Sequence, residues 1–332
     1  MTTLSIDRDT FKKSLQAVLE TPLAFPEQEN FTFVSGVSEA ENQNSTNDAF
    51  SRKWTDYKDS KEKENLIAMQ KQWYLECYGF DNEAAFKSFL ADKNVIYDAG
   101  CGIGFKAAWF AELAPHAVVI GVDFSEAAKH AAAFYKDIPN LFFIQSDIAT
   151  SIFKASSVDY VSCDQVIMHT EDPEKTFEQL TKAVKKNGQF ACYFYAKKAL
   201  PRELIDDYFR THCKNMSHDE IMVLSEQLTA LGKVLSELDV SFDTPDIPAL
   251  GIKGGEIDIQ RFIYWNFLKC FWNEEMGPKT STMINFDWYS PTNAKRYSEK
   301  DVKDLITAND LDVVTFHQEE ACYSGRFRKS KR

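Results

Sequence analysis

The sequence predicts an α/β fold, a mostly parallel sheet of seven strands with helices on both faces. Three observations predict it. The stretch Val95-Ile96-Tyr97-Asp98-Ala99-Gly100-Cys101-Gly102-Ile103-Gly104 is a short apolar run followed by glycines at every second position, which reads as a buried parallel strand entering a tight turn. An amphipathic helical pattern takes over at Phe105–Leu113, and helices then alternate with apolar runs as far as Ala196, as in a sheet wound by crossover helices. Two more strand-like runs, Leu311–His317 and Cys322–Arg328, lie near the end.

Composition narrows the function. The chain has 332 residues, enough for one large or two modest domains. Its formal net charge of -12 argues against a nucleic-acid partner, because phosphate contacts require lysine and arginine. No apolar run is long enough to span a membrane. Met1 to Asp9 lacks the basic start and apolar core of a targeting peptide. The seven cysteines are scattered without a C-x-x-C pair, which points to reduced thiols in a cytoplasmic protein and not to a disulfide or zinc framework.

The elements follow in chain order. Phe11–Leu19 is a short helix, Phe31–Val37 a strand or extended arm, and Ser38–Asp48 a polar loop. Phe50, Trp54 and Tyr57 then sit among charges, ahead of helices from about Lys61 to Cys77 and Asn82 to Leu90. Residues 1–93 thus form a helical annex or lid before the core, 94–196. In the core, strand, glycine turn and helix present backbone N–H groups to a ligand at a helix N-terminus. Glycine is needed where a side chain would block close approach. The second strand, Ala117–Val122, ends in Asp123 and Phe124, with the acid placed to accept from ribose hydroxyls. The third, Leu141–Ile144, runs into Ser146-Asp147-Ile148. The fourth, Val158–Asp164, continues through Gln165 and His169 to Asp172-Pro173. Pro173 opens a helix that continues through Val184, and Asn187-Gly188 ends it with a left-handed cap. Gln189–Tyr195 is the fifth strand.

The order D-x-G-x-G-x-G from Asp98, the acid at Asp123, Asp147 after the third strand, and the histidine and Asp-Pro after the fourth resemble the class I S-adenosylmethionine (SAM) methyltransferases. The segment after the fourth strand is similar to the branch that includes the quinone-biosynthesis enzymes. The resemblance covers roughly Val95 to Ala196 and implies a Rossmann-like sheet, SAM as cofactor and S-adenosylhomocysteine as product. It places Asp98, Ala99, Gly100, Cys101, Gly102 and Gly104 at the cofactor turn and Asp123 with Phe124 at the ribose. It places Ser146, Asp147 and Ile148 at the adenine, and Asp164 with Gln165 at the methionine end. Annexes in this family commonly cover cofactor or substrate, and Phe50 with Trp54 looks like the aromatic entry of some bacterial members. Core packing is the competing role for those rings.

Residues 197–297 read as a helical, aromatic-rich insertion after the fifth strand, expected to cap the substrate side. Ile221, Leu224, Leu228, Leu231, Leu235 and Leu238 repeat at three- and four-residue steps, a seam that packs on a neighbouring helix within the chain or across a homodimer. Residues 298–332 complete the core sheet, opening with the capping-box pattern Ser298-Glu299-Lys300-Asp301. Methyl transfer is an in-line displacement, so the protein must align the reactants and exclude water. A hydroxyl or amine acceptor also needs a base. His169 is the first candidate, against a hydrogen-bonded histidine at a strand–helix turn. Tyr289 and Asp287 come next. His169, Glu171 and Asp172 match no metal ligand set, and no metal is expected. The sequence therefore points to a small-molecule methyltransferase. The alternatives are an enzyme acting on protein or RNA, and an inactive SAM-binding regulator.

Overall fold

Alternating burial shows how the strands are placed. Val95, Tyr97 and Ala99 pack into one apolar layer and Ile96 into another, so β2 (Val95–Ala99) is covered on both faces. The computed structural model describes residues 7–25, 29–35 and 61–330, with side chains described from 67 onward in the third segment. The Ser38–Asp48 loop and the rings of Phe50, Trp54 and Tyr57 lie outside the described residues.

The chain divides into two compact units, Met1–Tyr195 with Lys295–Arg332, and Ala196–Ala294. The first is built on a sheet of nine strands in the order β1-β4-β3-β2-β5-β6-β11-β10, with β9 pairing β6. The strands are β1 (Phe31–Phe33), β2, β3 (Val118–Asp123), β4 (Leu141–Gln145), β5 (Val158–Cys163), β6 (Val184–Ala196), β9 (Arg296–Tyr297), β10 (Leu311–Gln318) and β11 (Cys322–Lys329). Pairing is parallel from β1 to β6 and antiparallel from β6 through β11 to β10. The seven expected strands are all present. The two additions are β1, which the short Phe31–Phe33 run pairs in parallel with β4, and the two-residue β9.

Helices cover both faces. α1 (Arg8–Val18), α6 (Pro173–Ala183) and α11 (Glu299–Ala308) bury apolar residues in one layer. The other holds α2 (Lys61–Cys77), α3 (Glu83–Leu90), α4 (Phe105–Leu113) and α5 (Ala127–Phe134). The elements of the first ninety residues thus pack into the same unit as the sheet. α4 is not amphipathic as expected: Phe105 to Ala111 are all buried, because the helix lies between the sheet and α3. α6 stops at Ala183, ahead of the expected end. Asn187 does take the left-handed conformation (φ 64°), but within β6, where the pairing with β5 shifts register. Ser298 caps α11 through a full capping box.

The second unit contains α7 (Leu200–Cys213), α8 (His218–Glu237), α9 (Ile259–Asn266) and α10 (Gly277–Tyr289). It is not purely helical. β7 (Ser241–Thr244) and β8 (Gly255–Asp258) form an antiparallel ribbon, which their short polar sequences do not advertise. The leucine seam of α8 is only partly inside. Leu231 and Leu238 are 40% and 55% exposed, while Ile221, Ser225, Leu228, Thr229 and Gly232 are buried. The small residues win because they admit close neighbours: a Cβ on Gly232 would lie 2.3 Å from the Cys270 carbonyl oxygen, and Asn285 donates to Thr229 Oγ1 at 2.9 Å.

Candidate functional site

The glycine turn is shaped by close approach. Gly100, Gly102 and Gly104 all take φ between 51° and 76°, a region other residues enter at a cost. A Cβ on Gly100 would lie 2.4 Å from Val166, and one on Gly104 2.7 Å from the Phe143 ring. Gly100 and Cys101 donate to the Val122 carbonyl at 2.7 and 3.0 Å. Asp123 closes the arrangement from the end of β3. One oxygen accepts from the Gly102 N–H at 2.8 Å, and the other from the Ser125 N–H and hydroxyl at 2.9 and 2.6 Å. A carboxylate offers about four lone-pair sites, so Asp123 keeps acceptor capacity.

Beneath the turn, on the face carrying Ile96, lies a buried charge network. Asp98 stands between Gly121 and Ser162 of the flanking strands. It is 1% exposed, and its carboxyl leans toward the Ala107 N–H without completing a hydrogen bond. Burial pushes its carboxyl up to about 7; Lys106 pulls it back, while Asp164 and Asp123 push it further. Lys106, on the first turn of α4, donates to Asp164 at 2.7 Å. Burial would depress its ammonium, but Asp164 and Asp98 outweigh that and hold it above the ordinary value. Tyr78 donates to the other oxygen of Asp164 at 2.8 Å. Alongside, the Tyr74 and Tyr160 hydroxyls meet at 2.6 Å and Tyr74 reaches Ser162 at 3.1 Å. Gln165, next to Asp164, is a non-glycine residue at φ 63°. Such strain persists only where surroundings enforce it.

The residues after β4 and β5 complete the edge. Ser146 donates its N–H to the Asp123 carbonyl at 3.0 Å, and its buried hydroxyl has no partner. Asp147 accepts from the Ala149 N–H at 2.9 Å, an Asx-type turn, and Ile148 is buried. Gln145 donates to the Phe124 carbonyl at 3.2 Å. His169 ends a 3-10 turn, is 6% exposed, and its Nε2 lies 3.3 Å from the Tyr195 hydroxyl. Sequence reasoning missed Lys106, Tyr78 and Tyr195. Only Lys106 left a signal, as the one cation of a helix that is apolar at every other position before Glu112.

Tyr289 and Asp287 belong to the second unit, on α10. Tyr289 is 1% exposed and its hydroxyl leans toward the Lys269 backbone without completing a hydrogen bond. Asp287 is half-buried. This unit has its own charge cluster. Arg202 pairs with Asp206 at 2.8 Å one turn along α7, both essentially inaccessible, and also donates to the Tyr264 carbonyl. Arg210 donates to the Trp288 and Pro291 carbonyls, both at 2.8 Å. Lys269 lies 4.7 Å from the centre of the Trp288 ring, which Arg202 and Arg210 also approach. Burial pulls Lys269 down to about 7; Arg202 and Arg210 add to the fall, and Asp206 and Asp287 oppose it.

Residues 90–239 match the family model described as a methyltransferase domain. This stretch is thus similar to a methyltransferase domain, and the unpartnered Asp98 and Ser146 oxygens and the glycine cradle suit a polar ligand such as S-adenosylmethionine. No curated protein matches the chain. Among solved structures, the 1,6-didemethyltoxoflavin-N1-methyltransferase of Burkholderia thailandensis is 11% identical over 95% of this chain and 94% of that one, with a TM-score of 0.47. The magnesium protoporphyrin IX methyltransferase of Synechocystis is 14% identical over 86% and 98%, at 0.44. The YcgJ protein of Bacillus subtilis is 17% identical over 71% and 69%, at 0.40.

Proposed function

We propose that the chain moves the methyl group of SAM to a small-molecule acceptor. One observation carries the reading: the buried, unpartnered Asp98 carboxylate beside the left-handed glycine turn. SAM supplies a methyl group activated on a cationic sulfur. In this reading the chain's residues hold, orient and dehydrate. Gly100 and Gly102 let the ligand approach backbone, Asp123 takes a ribose hydroxyl with its spare lone pair, and Asp147 and Ile148 flank the adenine. Asp98 and Asp164 outnumber Lys106, so the site keeps residual negative charge suited to a cation. His169 takes the acceptor's proton, with Tyr195 holding its ring in place. The net charge of -12 weighs against an RNA acceptor.

The test is turnover of SAM to S-adenosylhomocysteine with a fractionated pool of small metabolites. His169→Ala is expected to bind SAM as the parent does and to turn over about 10²- to 10⁴-fold more slowly, the scale of lost general-base help. Methylation confined to protein or RNA fractions, or SAM binding without any turnover, would contradict the reading.

A further inference from the structure

The first unit brings together four metal-ligating side chains that play no part in the proposed reaction. Cys77 ends α2, His317 lies on β10, Glu319 follows in the turn, and Cys322 opens β11. The two sulfurs and a ring nitrogen of His317 all lie within 4.8 Å of one another. The Glu319 carboxylate lies beside two of them, with Oε1 3.7 Å from Cys322 Sγ and Oε2 3.8 Å from His317 Nε2. A nitrogen–oxygen distance of 3.8 Å is too long for a hydrogen bond, and Nε2 has no hydrogen-bond partner. It is close to the span of two ligands on one ion. Tetrahedral zinc, with bonds of about 2.3 Å to sulfur and 2.0 to 2.2 Å to nitrogen and oxygen, separates its ligand atoms by roughly 3.3 to 3.8 Å.

We propose that Cys77, His317, Glu319 and Cys322 form a structural site for a thiophilic divalent cation of the zinc type. Two thiolates, an imidazole and a carboxylate select such an ion over magnesium or calcium. Four protein ligands leave no open position, so the site is structural and not catalytic. Both cysteines are fully buried, while the His317 and Glu319 side chains remain 31% and 26% exposed and give the ion its way in. The frame is preformed. Ser324 donates to the Cys77 carbonyl at 3.1 Å, and Arg326 Nε and the Thr315 hydroxyl donate to the Tyr78 carbonyl at 2.6 and 3.3 Å. The ion would fasten the end of α2 to the β10–β11 hairpin as the two thiol protons leave to solvent. Tyr78, the residue after Cys77, donates to Asp164, so the clamp would also fix that hydroxyl.

Metal content and cobalt spectra of the full chain, purified with reductant and without chelator, test the proposal independently of methyl transfer. One zinc per chain is expected. Replacement by cobalt should give thiolate charge-transfer and tetrahedral visible bands, both lost in Cys77→Ser and Cys322→Ser. If those buried variants do not fold, His317→Asn and Glu319→Gln at the exposed rim, checked by circular dichroism, should weaken metal retention against a chelator by about 10-fold or more. Failure of the wild-type chain to retain stoichiometric metal after zinc loading would overturn it. So would retention by Cys77→Ser/Cys322→Ser, or an intact mass lacking two hydrogens from a Cys77–Cys322 disulfide under the same conditions.

Discussion

The two units each bury a cluster of charges, and the clusters are opposite in sign. In the first, Asp98 and Asp164 face a single cation, Lys106. In the second, Arg202, Arg210 and Lys269 surround Trp288, with Asp206 the one fully buried carboxylate. Both clusters are unequal in charge, and in each the titration of one group is displaced to near neutrality. Asp98 is driven up to about 7 and Lys269 down to about 7. Burial is the first cause in both. A leftover buried charge lowers the stability of the free protein, and it is retained most readily where a ligand of opposite charge completes the set. In the proposed function the first cluster therefore serves to recognise a cation.

Substitutions separate the leftover groups from the paired ones. Lys269→Met should stabilise the protein by up to about 5 kcal/mol below pH 7. Above pH 7 native Lys269 sheds the proton that the unfolded chain keeps up to its ordinary value of 10.5. The parent's stability then rises with pH and the variant's advantage fades across that window. Denaturant melts at several pH values measure it. Lys106→Met should do the reverse, costing about 3 to 5 kcal/mol, because it leaves Asp164 and Asp98 buried without their cation. A gain in melting temperature for Lys106→Met would erase the distinction between the clusters. Asp98→Asn should stabilise the ligand-free protein by up to about 4 kcal/mol above pH 7. Native Asp98 retains between its ordinary 3.8 and about 7 a proton that the unfolded chain has lost. That gain should therefore shrink on acidification and vanish below about pH 4.

The two units also differ in how much of them could be read from sequence. The parallel core was legible because each strand, turn and cap carries a local signal: apolar runs for β2 to β5, glycines at positive φ, Pro173 at a helix start, Ser298 with Asp301 at another. The residues expected at the cofactor could be named because they occupy the ends of those strands. Their charge network was not legible. Lys106 meets Asp164 only when α4 packs against β2, and Tyr78 reaches Asp164 from the turn after α2, far away in sequence. In the second unit the leucine pattern misled, because packing chose the small face of Ser225, Thr229 and Gly232 over the bulky one. Cys77 and Cys322 looked scattered for the same reason: tertiary structure, not spacing, brings them together.

Calorimetric titration of the purified chain with SAM tests the central claim most directly. The account expects SAM to bind, and Asp123→Ala to weaken binding by about 1 to 2 kcal/mol, the scale of hydrogen bonds lost from a polar site. Part of that loss would come from the Gly102 N–H, which Asp123 holds at 2.8 Å. Absence of SAM binding, preference for NAD over SAM, or unchanged affinity in Asp123→Ala would contradict it.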